Sequence, residues 1–124
     1  MLLLCVRAYL EFLIAGHYLR RNAFAALYEC VRRRPVRAIA ASAGSVARVC
    51  RAVDMAAIWY PKQVLCLQRS AATTCLLRRC GVAAQMVIGV QQIPFRAHAW
   101  VEVEGRVVSD KPYMREMYVV LDRC

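Results

Sequence analysis

Two stretches of the sequence decide the fold: CLQRSAATTCLLRRCG at residues 66–81 and AHAWVEVEG at residues 97–105. In the first stretch, apolar and small side chains recur at helical spacing, and Gly81 is typical of the residue that ends a helix. In the second stretch, small or apolar side chains alternate with His98, Trp100 and Glu102, which is the period of a β-strand. The sequence therefore predicts a helix with Cys66 in its first turn, followed by a strand that carries His98.

Helical patterns also fill the chain before residue 60. Residues 2–21 and 23–33 predict two helices, and Pro35 is suited to open a third helix over residues 36–57. The segment Trp59-Tyr60-Pro61 ends that helix, because a residue before proline avoids helical backbone. The apolar face predicted for the first helix consists of Leu3, Tyr9, Leu10, Leu13, Ile14 and Tyr18. The arginine runs at 32–34 and 78–79 are expected at solvated helix ends.

The pattern changes near residue 80 from helical to strand-like. Residues 83–90 predict a buried strand, residues 91–96 a loop, and residues 106–110 a second returning strand. We therefore predict an α+β fold with N-terminal helices followed by a small antiparallel sheet. At 124 residues a single domain is expected, with a helical part at 1–58 and the last helix and the strands at 59–124.

Composition excludes several classes of protein. With 60% hydrophobic residues the chain is not disordered, and its net charge of +10 indicates an acidic partner such as a peptide or a nucleotide. No aromatic platform or recognition motif accompanies the charge, so nucleic acid is not expected. The longest uncharged stretch, residues 80–95, is too short to span a membrane. Core packing, rather than contact with a membrane, is the expected use of the apolar N-terminal segment.

The seven cysteines are read as free thiols. The N-terminus lacks the basic region of a secretory signal, so a reducing bacterial cytoplasm is the expected compartment. There is no CxxC pair and there are only two histidines, His17 and His98. No metal ion or other cofactor is therefore expected.

The turn after the His98 strand decides whether His98 meets an acid. A three-residue loop, 103–105, pairs Glu102 with Arg106 and brings His98 beside Asp110 on one face. A two-residue loop, Glu104-Gly105, places Asp110 on the opposite face. With the first loop, Cys66, His98 and Asp110 have the chemistry of a nucleophile, a base and an orienting acid. The helix N-terminus and a neighbouring imidazolium both favour the thiolate form of Cys66.

These residues resemble a known family. The blocks Cys66-Leu-Gln-Arg-Ser, Val87-Ile-Gly-Val and Ala97-His-Ala-Trp-Val-Glu-Val, with Val107-Val-Ser-Asp110, are similar to the lasso peptide biosynthesis B proteins. The resemblance is to their stand-alone leader-peptidase form, which is a transglutaminase-like, papain-like cysteine protease. It implies a Cys66–His98–Asp110 triad that removes the leader from a precursor peptide. It also implies two partners: a separate leader-binding recognition protein and an ATP-dependent macrolactam synthetase.

Four further residues are weaker candidates near the expected site. Gln63 is a candidate oxyanion-hole donor, with helix entry as its structural alternative. Arg69, Arg96 and Trp100 are candidate substrate-binding residues, and each is equally explained by a role in holding the structure. Two other functions fit the sequence: an acyltransferase on the same fold, and a non-catalytic protein whose basic surface binds an acidic peptide.

Overall fold

The computed structural model describes residues 1–124 as helices followed by a small sheet. The elements are α1 (Leu2–Arg20), α2 (Phe24–Arg33), α3 (Ser45–Trp59), α4 (Cys66–Arg79), β1 (Ala84–Gln92), β2 (Phe95–Val103), β3 (Arg106–Val107), α5 (Met114–Met117) and β4 (Val119–Arg123). The sheet has the order β3-β2-β1-β4, and all its neighbouring strands are antiparallel. The α+β class and the helix-then-sheet order predicted from the sequence are confirmed.

Helix α4 is the centre of the fold. It packs against α1 and α3 and against β1 and β2, and its residues from Ser70 to Arg78 are buried. Its middle is built from Ala, Thr and Ser, whose small side chains let neighbouring elements approach from several sides. Gly81 follows with φ 83°, so the predicted end of this helix is also confirmed.

The buried face of α1 differs from the predicted one. The buried residues are Ala8, Phe12, Ala15 and Gly16, whereas Leu3, Leu10, Leu13 and Ile14 are exposed. The helix is apolar on most of its circumference, so periodicity alone does not distinguish the face that packs. Small residues on the buried face allow close packing against α3 and α4.

The expectation that no segment is long and apolar enough to span a membrane is wrong for α1. This helix has 19 residues and a mean hydropathy of 1.5 over its best window, which meets the requirement by length and composition. Core helices of soluble proteins and signal sequences meet the same requirement, so this is weak evidence. Ala8 and Phe12 of α1 belong to the main hydrophobic cluster.

Helix α3 begins nine residues later than the predicted position 36, at Ser45. Gly44 has φ 82° and ends the preceding irregular segment. That segment lies against the C-terminus of α4: the Arg37 N–H donates to Arg78 O at 2.9 Å, and Ile39 O lies against Gly81. These contacts compete with a helical turn at Pro35. The predicted end at Trp59-Tyr60-Pro61 is confirmed, because Tyr60 is extended.

The hairpin between β1 and β2 is tighter than predicted. Residues 91–96 were expected to form a loop, but Gln92 pairs with Phe95, so only Ile93 and Pro94 form the turn. Polar side chains at Gln91 and Gln92 suggested a loop, although strand pairing uses only their backbone groups.

The second hairpin has the shorter of the two loops considered. Val103 pairs with Arg106, and Glu104 and Gly105 have φ values of 52° and 77°, as a two-residue turn requires. The predicted strand 106–110 is reduced to Arg106–Val107, with one further backbone bond from Val108 N–H to Val101 O. The pairing of Glu102 with Arg106, which depended on the three-residue loop, does not form, and Glu102 pairs with Val107.

Arg78 is not at a solvated helix end. It is 6% exposed, and its guanidinium donates to the main-chain oxygens of four residues. These are Ala84 at 2.9 Å, Val31 at 2.6 Å, Arg34 at 3.2 Å and Cys124 at 2.5 Å. The side chain thereby joins the end of α2 to β1 and to β4, whereas its neighbour Arg79 is exposed.

Candidate active site

Cys66 is the first residue of α4, as the sequence predicts. The entry to the helix is held by Gln68, which is 4% exposed. Its Oε1 accepts the Leu65 N–H at 3.1 Å, and its Nε2 donates to Phe12 O at 3.1 Å. Because Gln68 ties the first turn of α4 to α1, the position of the Cys66 side chain is set by two helices.

His98 and Asp110 meet even though the hairpin has the two-residue loop. The His98 Nε2 atom lies 2.5 Å from Asp110 Oδ2. The two-residue loop would separate them if residues 108–110 continued as a strand, but pairing ends after Val108, so the chain is free to return Asp110 to the His98 face. The Asp110 Oδ1 atom accepts the Lys111 N–H at 2.8 Å, which holds the carboxylate in place.

The electrostatics of the three residues favour an ion pair. The His98 imidazole lowers the pKa of the Cys66 thiol, and the Ala99 and Leu67 backbone N–H groups lower it further, against the opposing effect of burial. Cys66 in turn raises the pKa of His98 to about 9, with Asp110 contributing in the same direction. Since Asp110 occupies Nε2, the Nδ1 atom of His98 is the ring nitrogen left for Cys66.

Two cavities adjoin Cys66. One of about 310 Å³ is lined by Val64, Cys66, Arg69, Ser70, His98, Ala99, Ser109 and Asp110. The other, of about 90 Å³, is mostly apolar and is lined by Phe24, Cys66, Leu67, Ile88, Ala97, His98 and Ala99. An extended peptide that crossed the thiol would meet a polar surface on one side and an apolar surface on the other.

A family profile described as the transglutaminase-like superfamily matches residues 9–123. The chain belongs to the transglutaminase-like superfamily. It is also 43% identical over 56 residues to the microcin J25-processing protein McjB of Escherichia coli. That match covers 45% of this chain and 27% of McjB, so the chain matches about a quarter of the relative's length. No solved structure matches the chain. The resemblance to B proteins that the sequence showed is confirmed by these findings.

In this transglutaminase-like domain the His98 ring packs beside two aromatic rings. The Trp100 and Tyr118 rings lie 6.2 and 5.5 Å from it, centroid to centroid. Trp100 is fully buried, and its Nε1 donates to Glu102 Oε2 at 2.9 Å. Of the two roles considered for it, the structural one is therefore seen, and the substrate-binding one is not. A Cβ on Gly89 would lie 2.6 Å from the Trp100 ring, so glycine there lets the indole lie flat beneath His98.

The other three weaker candidates, Arg69, Gln63 and Arg96, lie in different parts of the structure. Arg69 lines the cavity at Cys66 and forms an ion pair with Asp54. Gln63 lines a different cavity, with Gly16 and Tyr60, so its expected place in an oxyanion hole is not supported. Arg96 is an exposed residue of β2 and lines neither of the cavities at Cys66.

Sequence reasoning missed two residues of the site, Tyr118 and Gly89, and one backbone donor. Tyr118 lies beside the His98 ring because β4 pairs with β1, and nothing in the sequence predicted that strand. Gly89 could have been found from its position inside a predicted strand, where glycine often marks a close approach. The Cys66 backbone N–H makes no hydrogen bond, which follows from its place in the first turn of α4.

The structure contains no group of three or more His, Cys, Asp or Glu side chains arranged to hold a metal ion. All seven cysteines are free thiols. The pKa of Cys66 is lowered, chiefly by its hydrogen bond to His98, whereas burial raises the pKa of Cys50, Cys75 and Cys124.

The lowered pKa of Cys66 predicts selective alkylation. At pH 7 iodoacetamide should modify Cys66 first, because the thiolate is the reacting form and it persists above the lowered pKa. The rate should fall as the pH drops through that pKa. In His98→Ala the midpoint of the curve of alkylation rate against pH should move to higher pH. The alkylation rate of Cys66 at pH 7 should then fall by about tenfold.

The measurement is mass spectrometry of the cysteine peptides over a pH series. Cys75 is the internal control, since burial raises its pKa to about 12 and the residue is 5% exposed. Equal rates at Cys66 in the two proteins would show that His98 does not activate the thiol.

Proposed function

We propose that the protein is a cysteine endopeptidase that removes the leader from a lasso peptide precursor. The observation that supports this most directly is the arrangement of Cys66, His98 and Asp110 around an open cavity at the N-terminus of α4. The transglutaminase-like family, whose members are generally cysteine proteases or acyltransferases, supplies the reaction class.

The reaction begins with attack of the Cys66 thiolate on the carbonyl carbon of the scissile amide. The protonated His98 gives its proton to the leaving amine, the C–N bond breaks, and the core peptide departs with a new N-terminus. The leader remains as a thioester on Cys66. Water, deprotonated by His98, then attacks the thioester and releases the leader as a carboxylic acid. Asp110 orients the imidazole and stabilises its charged form.

The Cys66 backbone N–H is the donor best placed to stabilise the oxyanion. It is one of the first N–H groups of α4, which have no intrahelical acceptor, and it makes no hydrogen bond in the structure. The positive end of the helix dipole reinforces the effect. This donor takes the role for which the sequence suggested Gln63.

The substrate class and the partners are proposed from similarity. McjB is a microcin J25-processing protein, and the similarity of the matching stretch supports a processing role for this chain. A separate recognition protein presents the leader to Cys66, and an ATP-dependent synthetase closes the macrolactam on the freed amine. The reaction takes place in the bacterial cytoplasm, where free thiols stay reduced.

The test is incubation of a leader-bearing lasso precursor with this protein and its leader-binding partner, with and without a primary amine. We expect a leader with a free carboxylate and a core peptide with a new N-terminus. We also expect a transient protein species whose mass equals that of the protein with the leader attached to Cys66 as a thioester. A leader carrying the amine would instead identify an acyltransferase. An intact precursor after prolonged incubation would contradict both reactions.

A further inference from the structure

A third cavity lies on the other side of the segment that leads into α4. Its volume is about 260 Å³, and it is lined by Gly16, Leu19, Arg20, Tyr60, Lys62, Gln63, Leu65 and Gln68. Residues of the entry segment are divided between this cavity and the 310 Å³ cavity at Cys66. Lys62, Gln63 and Leu65 face this one, while Val64 and Cys66 face the catalytic one.

The cavity is positively charged. Arg20 and Lys62 contribute two cations, and no lining residue is Asp or Glu. Neither cation takes part in any ion pair or side-chain hydrogen bond of the protein. Two unpaired cations around one cavity attract an anion, and charge-assisted hydrogen bonds are the strongest available to it.

Tyr60 adds a directed neutral donor. The buried amide of Gln68 donates from Nε2 to the Tyr60 hydroxyl oxygen at 3.4 Å. With that oxygen acting as acceptor, the hydroxyl hydrogen stays available to donate to a ligand in the cavity that Tyr60 lines. The Tyr60 ring is held by edge contacts with Tyr9 and Phe12, with centroids 5.5 and 5.6 Å apart.

Gly16 keeps this arrangement close to α1. An added Cβ would lie 3.1 Å from both the Tyr60 hydroxyl oxygen and Gln68 Nε2. The lack of a side chain at this position therefore lets the hydroxyl and the amide come close to α1 and line the cavity together with the two cations.

We propose that this cavity binds the carboxylate of an acidic side chain in the peptide substrate. Lys62 and Arg20 supply the charge, and the Tyr60 hydroxyl supplies a fixed hydrogen bond. This proposal rests on the proposed peptidase function, because it assigns part of the substrate. Since Leu65 lines the cavity and directly precedes Cys66, the acidic residue lies roughly two to four residues from the scissile bond in an extended peptide.

The test uses a pool of randomised decapeptides in two parallel arms. In the first arm the pool is cleaved by the wild-type protein, and the products are sequenced by mass spectrometry. In the second arm the uncleaved pool is captured on immobilised Cys66→Ala protein, which needs no activity. We expect Asp or Glu to be enriched about tenfold at one position in both arms.

Three variants of the binding residues sharpen the result. Tyr60→Phe keeps the ring packing but removes the hydroxyl group, and Lys62→Met removes one charge, so each should lower the enrichment severalfold. Lys62→Glu should reverse the preference toward Lys or Arg at the same position. Arg79→Met is the matched control, since it removes one positive charge from the exposed opposite end of α4 and should change nothing.

The arms distinguish the two proposals. Cleavage without acidic enrichment overturns the carboxylate site and leaves the peptidase standing. Acidic enrichment on capture without cleavage supports the site, and the peptidase is then judged by the precursor incubation that includes the recognition partner. Absence of enrichment in both arms, or enrichment that survives in Lys62→Glu, overturns the site.

Discussion

Cys66→Ala should lower kcat/KM for leader removal by at least about 10⁴-fold, the loss typical of removing a catalytic nucleophile. The variant keeps the fold, because Cys66 is half-buried in the first turn of α4 and alanine favours a helix. The residual rate would come from oxyanion stabilisation and substrate positioning alone. The measurement is a time course of precursor cleavage followed by mass spectrometry.

The matched control is Cys80→Ala, which removes a thiol at the opposite end of the same helix. Its rate should stay within about twofold of wild type, since surface or part-buried thiols without a base are inert. Cleavage by Cys66→Ala at a rate near that of wild type would mean that the nucleophile lies elsewhere, and the triad would have to be abandoned.

Arg78→Met should lower the free energy of unfolding by at least about 4 kcal/mol. Methionine fills much of the same space, but four main-chain oxygens lose their charged donor. Each bond to a charged group contributes about 1.5–3 kcal/mol, and a buried acceptor left unpaired costs about 1–3 kcal/mol. A domain at the lower end of the typical range of about 5–15 kcal/mol would then be close to unfolded at 37 °C.

Urea denaturation followed by circular dichroism measures the loss. Arg79→Met provides the comparison, because Arg79 is exposed and its removal should change stability by no more than about 0.5 kcal/mol. Arg78→Lys should fall near the methionine variant, since one ammonium lacks the forked geometry that reaches four oxygens. Equal urea midpoints for Arg78→Met and Arg79→Met would show that the hydrogen bonds of Arg78 do not stabilise the contacts between α2, α4, β1 and β4.

The sequence predicted what local patterns determine. Helix α4, its end at Gly81 and the alternation along β2 follow from periodicity and from glycine chemistry, and all three are seen. The same patterns placed Cys66 in a first turn. The resemblance to B proteins came from the residues that these elements carry.

The errors came from tertiary packing. The buried face of α1 was missed because an apolar helix has no unique face until its neighbours are known. The start of α3 was missed because residues 34–43 contact the end of α4. Arg78 looked like a solvated helix end, since no local pattern shows that four distant carbonyls converge on it. Gln63 is close to Cys66 in sequence but lines a different cavity. For Trp100 the sequence left a substrate-binding and a structural role open, and only its full burial in the fold decides for the structural one.

The early end of β3 has a consequence for how this sequence can change over evolutionary time. In a continuous hairpin, adding one residue to the turn would move every later side chain to the opposite face, and the acid of the triad would be lost at a single step. Here the ladder stops after Val108, so the position of Asp110 is set by the segment that follows and by its bond to His98. Insertions and deletions at Glu104-Gly105 therefore leave the contact between His98 and Asp110 in place. Homologues are free to differ in the length of this turn while keeping the histidine–aspartate pair.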